Sequence, residues 1–311
     1  SVLDGGSGSV ELKGNGKVTN RDNITAGQNI VLSSTTGAIE NYSMLSAGQG
    51  IGLTSTAGTI LNNGMLSARG RSVSLKGYKG IINNGYIEAK GNVSIISEEG
   101  SITNRAGIVA GKSFATPAAS PFSLRARAMA RAVDNGSVVI SGKDGVINHN
   151  DNVNTSISAA GSVSITSEVG AVQNSSAVNT SGSVEISGSN VTNSGALTTT
   201  GGSVEISGSE GVTNNADIKA GSGVSLNATT GDVKTSGTIQ AGEDVSMTSN
   251  AGKIESSSAV TTSGSVEISG SSGVNNSANI TANDNVTMSS GAGSVTNSSD
   301  VKAGTGSVEI S

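Results

Sequence analysis

Apolar residues recur along this chain in pairs separated by a single residue, and the pairs come in sets of three. The most repeated phrase, SGSVEISGS at residues 181–189, returns almost unchanged at 202–209 and 263–271 and again at 306–311. The first pair of each set begins at Val10, Ile30, Ile51, Val73, Val93, Val138, Val163, Val184, Val204, Val224, Val245, Val266, Val286 and Val308. The second is an apolar residue followed two positions on by Asn, as in Ile60/Asn62 and Ile81/Asn83. The third is an apolar residue followed two on by Ala or Thr, as in Leu66/Ala68 and Val178/Thr180. A spacing of two places both members of a pair on one face of a short strand. Three such strands joined by Gly, Ser and Asn make one coil of about 20–21 residues.

A coil of this kind cannot bury its own inner face. Stacked on copies of itself about 4.8 Å away, it forms parallel sheets whose backbone groups pair above and below. The pattern therefore predicts an all-β chain, a parallel β-helix built as a three-sided solenoid over residues 1–311, with Val and Ile of each SVEIS inward and Glu outward. One spacing, from Val93 to Val138, is 45 residues. It has room for an additional coil anchored near Phe114, which would give about fifteen coils and a rod roughly 70 Å long.

The Asn of the second pair shares the inward parity of its apolar partner. Asn20, Asn41, Asn62, Asn83, Asn104, Asn148, Asn174, Asn193, Asn214, Asn276 and Asn297 hold this position, and Thr235 and Ser256 replace it in two coils. A buried amide left unpaired costs about 1–3 kcal/mol. The column reads as a structural ladder in which each amide bonds the coil above and the coil below, in preference to a row of ligand-binding groups. Leucine-rich repeats share the period and an Asn ladder but need an L-x-x-L-x-L frame, and Leu is scarce here. The G-G-x-G-x-D nonapeptide of calcium-binding rolls is absent. The heads of trimeric bacterial adhesins use a phrase like SVEIG, but on a shorter period.

The rung G-S-V-x-I-x-S-x-x-G-x-V-x-N-x-x-x-I-x-A-G resembles the shaft repeats of the filamentous haemagglutinin family, large exoproteins of bacterial two-partner secretion, together with the related contact-dependent inhibition stalks. NRAGIVAG at residues 104–111, and Asn193 to Leu197, carry the likeness best. This chain departs from the family in using Ser, Thr and Val where those shafts are rich in Leu and Gly. The resemblance implies a right-handed helix, export through an outer-membrane transporter, and display at the bacterial surface. It further implies attachment to a host-cell, matrix or bacterial receptor. With no secretion signal in view and both ends falling inside the repeat, the chain reads as a piece of such a shaft, a monomeric rod.

Two stretches break the period. Residues 113–136 hold both Pro, both Phe, and Arg125, Arg127 and Arg131. Ser120-Pro121 fits a helix start, so this insertion reads as a short helix or protruding loop, with a thin Ala-lined coil as the competing reading. As the place where the uniform surface is interrupted, it supplies the candidate partner contacts Phe122, Arg125, Arg127 and Arg131. Residues 148–158 form a longer loop with the one His, His149, near Asp144 and Asp151. Without further ligands at defined spacing, this is a solvated turn and not a metal or catalytic site.

Composition narrows the function classes. Net charge is -5, with charged residues at 13%, and no basic stripe marks a nucleic-acid binder. No segment is long and apolar enough for membrane insertion. Cys is absent, which excludes disulfides and thiolate metal sites. Glu11, Glu185, Glu205, Glu267 and Glu309 form an outward column in which only Glu185 and Glu205 occupy neighbouring coils. Glu185 and Glu205, about 4.8 Å apart, offer at most a weak cation site, and the column reads as a solubilising face. With no Trp, three Tyr and no basic partner in the column, it does not read as a β-helical polysaccharide-active enzyme. Thr-x-Thr does not recur in register as an ice-binding face requires, and sequons such as the one at Asn92 are expected by chance. The expectation is a non-enzymatic adhesin shaft needing no cofactor or metal. The alternative is a passive spacer presenting a distal toxin or binding domain.

Overall fold

Alternation dictates the local structure. In Val73–Gly77, Val73 and Leu75 turn inward and are buried while Ser74 and Lys76 face out. The chain turns at a Gly corner into Ile81–Asn83 and again into Ile87–Ala89, where Ile81, Asn83, Ile87 and Ala89 are buried. These three are the first, second and third strands of one coil. The computed structural model describes residues 2–114, 136–149 and 156–311, and among them every regular element is a β-strand.

Every coil stacks in parallel register on its neighbours. Val73 pairs with Ile51 and Val93, Ile81 with Ile60 and Ile102, and Ile87 with Leu66 and Ile108. The third strands make a 14-stranded sheet. First and second strands belong to one 25-stranded sheet, because Val184–Asn193 and Val204–Asn214 run unbroken through the corner between the two faces. The three-strand expectation is thus modified in two coils, where Gly at the corner lets a single strand bend without interruption. The result is a parallel β-solenoid of about 13 turns, about 60 Å long at the usual strand spacing.

The expected additional coil near Phe114 does not exist. Val93 pairs directly with Val138 and Ile95 with Ile140, while Ile108 pairs with Ile157. The Val93 amide donates to the Ser137 carbonyl at 2.9 Å. A strand edge accepts one partner, and Val138–Gly142 takes all of it. The insertion therefore lies between Ile108–Ala110 and Val138–Gly142 and adds no rung. The choice between helix and loop falls on residues 115–135, outside the described residues, as do Phe122, Arg125, Arg127 and Arg131. The longer loop likewise leaves the stack intact, since Asn148 pairs with both Asn104 and Asn174.

The corner between first and second strands has two recurring forms. In Ser-x-x-Gly corners the Ser ends the first strand and closes the turn. Ser34 Oγ donates to the Gly16 carbonyl of the previous coil at 2.6 Å and accepts from the Gly37 amide at 3.0 Å, and Ser55 and Ser249 repeat this on their own coils. In the Gly-x-x-Gly corners the loop is one residue shorter. In three of these corners the last glycine carries the compensating backbone, with φ 139° at Gly80, 146° at Gly145 and 144° at Gly273, a conformation side chains disfavour.

The core is a column of aliphatic side chains, each packed on its copy in the next coil. Leu75, fully buried between Leu53 and Ile95, is representative. Leu75→Ala is expected to cost about 2–5 kcal/mol, measured as a fall in the denaturant midpoint followed by far-UV circular dichroism.

Candidate functional site

The polar feature that runs the length of the rod is the corner at the end of each second strand. Asn20 Nδ2 donates to Asn41 Oδ1 at 2.8 Å, Asn41 to Asn62 at 2.8 Å, Asn62 to Asn83 at 2.7 Å and Asn83 to Asn104 at 2.8 Å. The chain of bonds crosses both irregular stretches, from Asn104 to Asn148 at 2.8 Å and from Asn148 to Asn174 at 2.6 Å. It continues through Asn193 to Asn214, and a last bond joins Asn276 to Asn297 at 2.7 Å. In most of these coils the second amide hydrogen turns back to the carbonyl two residues on, as from Asn62 to Gly64 and from Asn104 to Ala106, both at 2.9 Å. Each Asn so bonded fastens its coil to the next and also fixes its own corner. The inward parity of Asn points to the inter-coil bond; the turn-back bond needs the corner geometry to be seen.

All donors in the ladder point one way along the rod, and the replacements Thr235 and Ser256 interrupt it. Asn214 Nδ2 reaches Thr235 Oγ1 only at 3.4 Å, and Thr235 Oγ1 bonds Ser258 Oγ at 2.7 Å. Ser256 Oγ, one coil further on, and Asn276 Oδ1, in the coil after that, are buried with no partner among the described residues.

A second, exposed ladder escaped the sequence reading. The residue immediately before each first strand is usually Ser, Asn or Asp, and its side chain accepts the backbone N–H at the same position of the next coil. Ser9 accepts from Asn29 at 3.1 Å, Asn29 from Gly50 at 3.0 Å, Asn92 from Ser137 at 2.9 Å and Asp244 from Ser265 at 2.7 Å. The signal was present as the small polar residue preceding Val in GSV and NV.

An outward carboxylate is buried on the third face, against the equally buried Ser67 of the neighbouring coil. Glu88, at the middle of a third strand, is only 6% exposed. It accepts from Ser67 Oγ at 2.6 Å and pairs with Lys112, the second residue beyond Ile108–Ala110. The Lys112 amide donates to the Ala89 carbonyl at 2.9 Å, and its ammonium lies 5.4 Å from the centre of the Phe114 ring. The start of the insertion is thereby fastened to the third face. The hydrogen bond to Glu88 pushes the Lys112 pKa up, and burial raises the nearby Tyr86 phenol. Nothing in the periodic pattern singles out Glu88, because its partner lies outside the repeat.

The remaining sequence candidates lie apart. Glu11, Glu185, Glu205, Glu267 and Glu309 are exposed, and Glu185 and Glu205 are register neighbours. His149 and Asp144 are exposed, the His149 amide donates to the Asn104 carbonyl, and Asp151 lies outside the described residues. Among the described residues no group of three or more His, Asp or Glu is placed to hold a metal ion. Shallow hollows line the second face, the larger of about 400 Å³ beside Lys234, Glu255 and Ser256. No protein-family model matches the chain, and no curated protein or solved structure matches it either.

Two outcomes follow from the corner and from the root of the insertion. Asn83→Ala strands the Asn62 donor and the Asn104 acceptor, each worth about 1–3 kcal/mol when buried unpaired. A fall in unfolding free energy of that order is expected, whereas Asn84→Ala, on the exposed side of the same corner, should change little. A Lys whose folded pKa is raised contributes stability that is complete below its unfolded value of 10.5 and is lost as pH climbs through the folded value. Thermal melting of the native chain should therefore show an alkaline loss above that point which Glu88→Gln makes smaller, the remainder coming from groups such as Lys143, whose pKa Glu99 also raises.

Proposed function

We propose that this chain is the structural shaft of a secreted, surface-exposed bacterial filamentous adhesin, exported through an outer-membrane transporter. The observation that supports this reading most is continuity. The first, second and third strands keep register across both insertions, and the Asn ladder passes through each of them. A stack of this kind transmits position along its axis while leaving its sides free to carry inserted segments. The repeat's resemblance to filamentous haemagglutinin shafts supports the export route and the surface setting.

In this reading the rod is the scaffold, and residues 113–136 are the segment through which it meets a host-cell, matrix or bacterial receptor. Arg125, Arg127, Arg131 and Phe122 would supply charge and an apolar anchor, and Glu88 with Lys112 fixes the point at which the segment leaves the rod. The outward columns elsewhere are dominated by Ser, Thr, Lys and Glu and form a hydrated flank.

The test is a chain with residues 114–135 removed, displayed on beads beside the intact chain and offered to epithelial cells, matrix proteins and bacteria. Val93 and Val138 already share a register, so the shortened rod should keep its far-UV spectrum and length. Loss of binding with the rod intact is the expected outcome. No binding by either form would make the chain a spacer for a distal toxin or binding domain, and equal binding by both would place the receptor contact on the rod and overturn the role given to residues 113–136.

A further inference from the structure

We infer that the interruption of the Asn ladder is a built hydration site, in which one buried water takes the place of the missing amide between Ser256 and Asn276. Ser256 and Asn276 are register partners, 2% and 0% exposed. Ser256 Oγ and Asn276 Oδ1 are the two buried side-chain atoms without a partner among the described residues, and they belong to adjacent rungs of one column.

The polarity of the ladder shows what is missing. In intact rungs the Oδ1 of each Asn receives a hydrogen from the rung before it, as Asn41 does from Asn20 and Asn297 does from Asn276. The rung before Asn276 holds Ser256, whose hydroxyl sits one bond from Cβ and ends short of it. Rotating the Asn276 amide by half a turn would present a donor to Ser256. It would also forfeit the bonds from Nδ2 to the Ala278 carbonyl and to Asn297 Oδ1, both 2.7 Å. Asn276 is held in the orientation that leaves its acceptor facing the gap.

The gap has the size and the chemistry of a water site. Asn carries two more heavy atoms than Ser, and leaving them out frees a space comparable to the roughly 30 Å³ share of one water. Buried waters occupy polar sites with two to four partners. Here the water donates to Asn276 Oδ1 and accepts from Ser256 Oγ. Its second hydrogen is directed to the Ser258 carbonyl, the position that takes the turn-back amide bond in intact coils such as Asn41 with Ser43 and Asn174 with Ser176. Thr235 does not fill this role, since its hydroxyl is engaged with Ser258 Oγ.

A high-resolution crystal structure of the chain tests this directly. A water peak within hydrogen-bonding distance of both Ser256 Oγ and Asn276 Oδ1 is expected. A dry gap, or a direct Ser256–Asn276 hydrogen bond, overturns the inference. The Ser256→Asn variant supplies a second arm, since Asn two residues before Ser already occurs in the coils of Asn41 and Asn174. The new amide should expel the water, bond Asn276 Oδ1 and shift the thermal midpoint upward. A variant that keeps the peak, or that melts no higher once the peak is gone, also counts against it.

Discussion

The molecule depends on one spacing. Each coil is a strip of backbone with unpaired groups above and below and an apolar inner face too narrow to close on itself. Both deficits are cured only when the next coil lies about 4.8 Å away in parallel register. Val73 under Val93 and over Ile51 is the unit of that arrangement, repeated on three faces. No coil is stable by itself, and the stability of each is shared with its neighbours.

That constraint explains the chemistry of the corners. Where the chain must turn within a fixed rise, side chains are either small or employed in bonds to the adjacent coil. Ser34 and Ser55 close their turns onto the coil before, Asn92 and Asp244 capture backbone N–H groups of the coil after, and the inward Asn column does both jobs at once. A directional ladder of this sort leaves a donor at one end and an acceptor at the other. A break inside it, as at Thr235 and Ser256, exposes that polarity within the core.

The insertions show how much a stack tolerates. Added residues between Ala110 and Val138, or between Asn148 and Ile157, leave the flanking strands paired with their proper neighbours. The cost of closing a longer surface loop grows slowly with its length, while the alternative, a coil out of register, would lose a full set of backbone bonds and turn apolar residues outward. Glu88 and Lys112 add a local fastening at the point of departure. It is a contact between the repeat and what interrupts it.

The period-two pairs and their recurrence were enough, read as sequence, to determine the strands, their inward faces, the parallel stacking and the membership of the Asn column from Asn20 to Asn297. All of these are local properties repeated often enough to be unmistakable, and the inter-coil contacts merely copy the local pattern. Tertiary structure alone decided the rest. That Val93 meets Val138 and no intervening coil exists is a pairing choice between distant segments. That Val184–Asn193 bends as one strand, that Glu88 is buried by Lys112, and that Ser256 fails to reach Asn276 are outcomes of distance. Spacing along the chain reports which residues share a face, but whether two groups on that face touch is set by a few ångströms of side-chain reach, which only the folded stack defines.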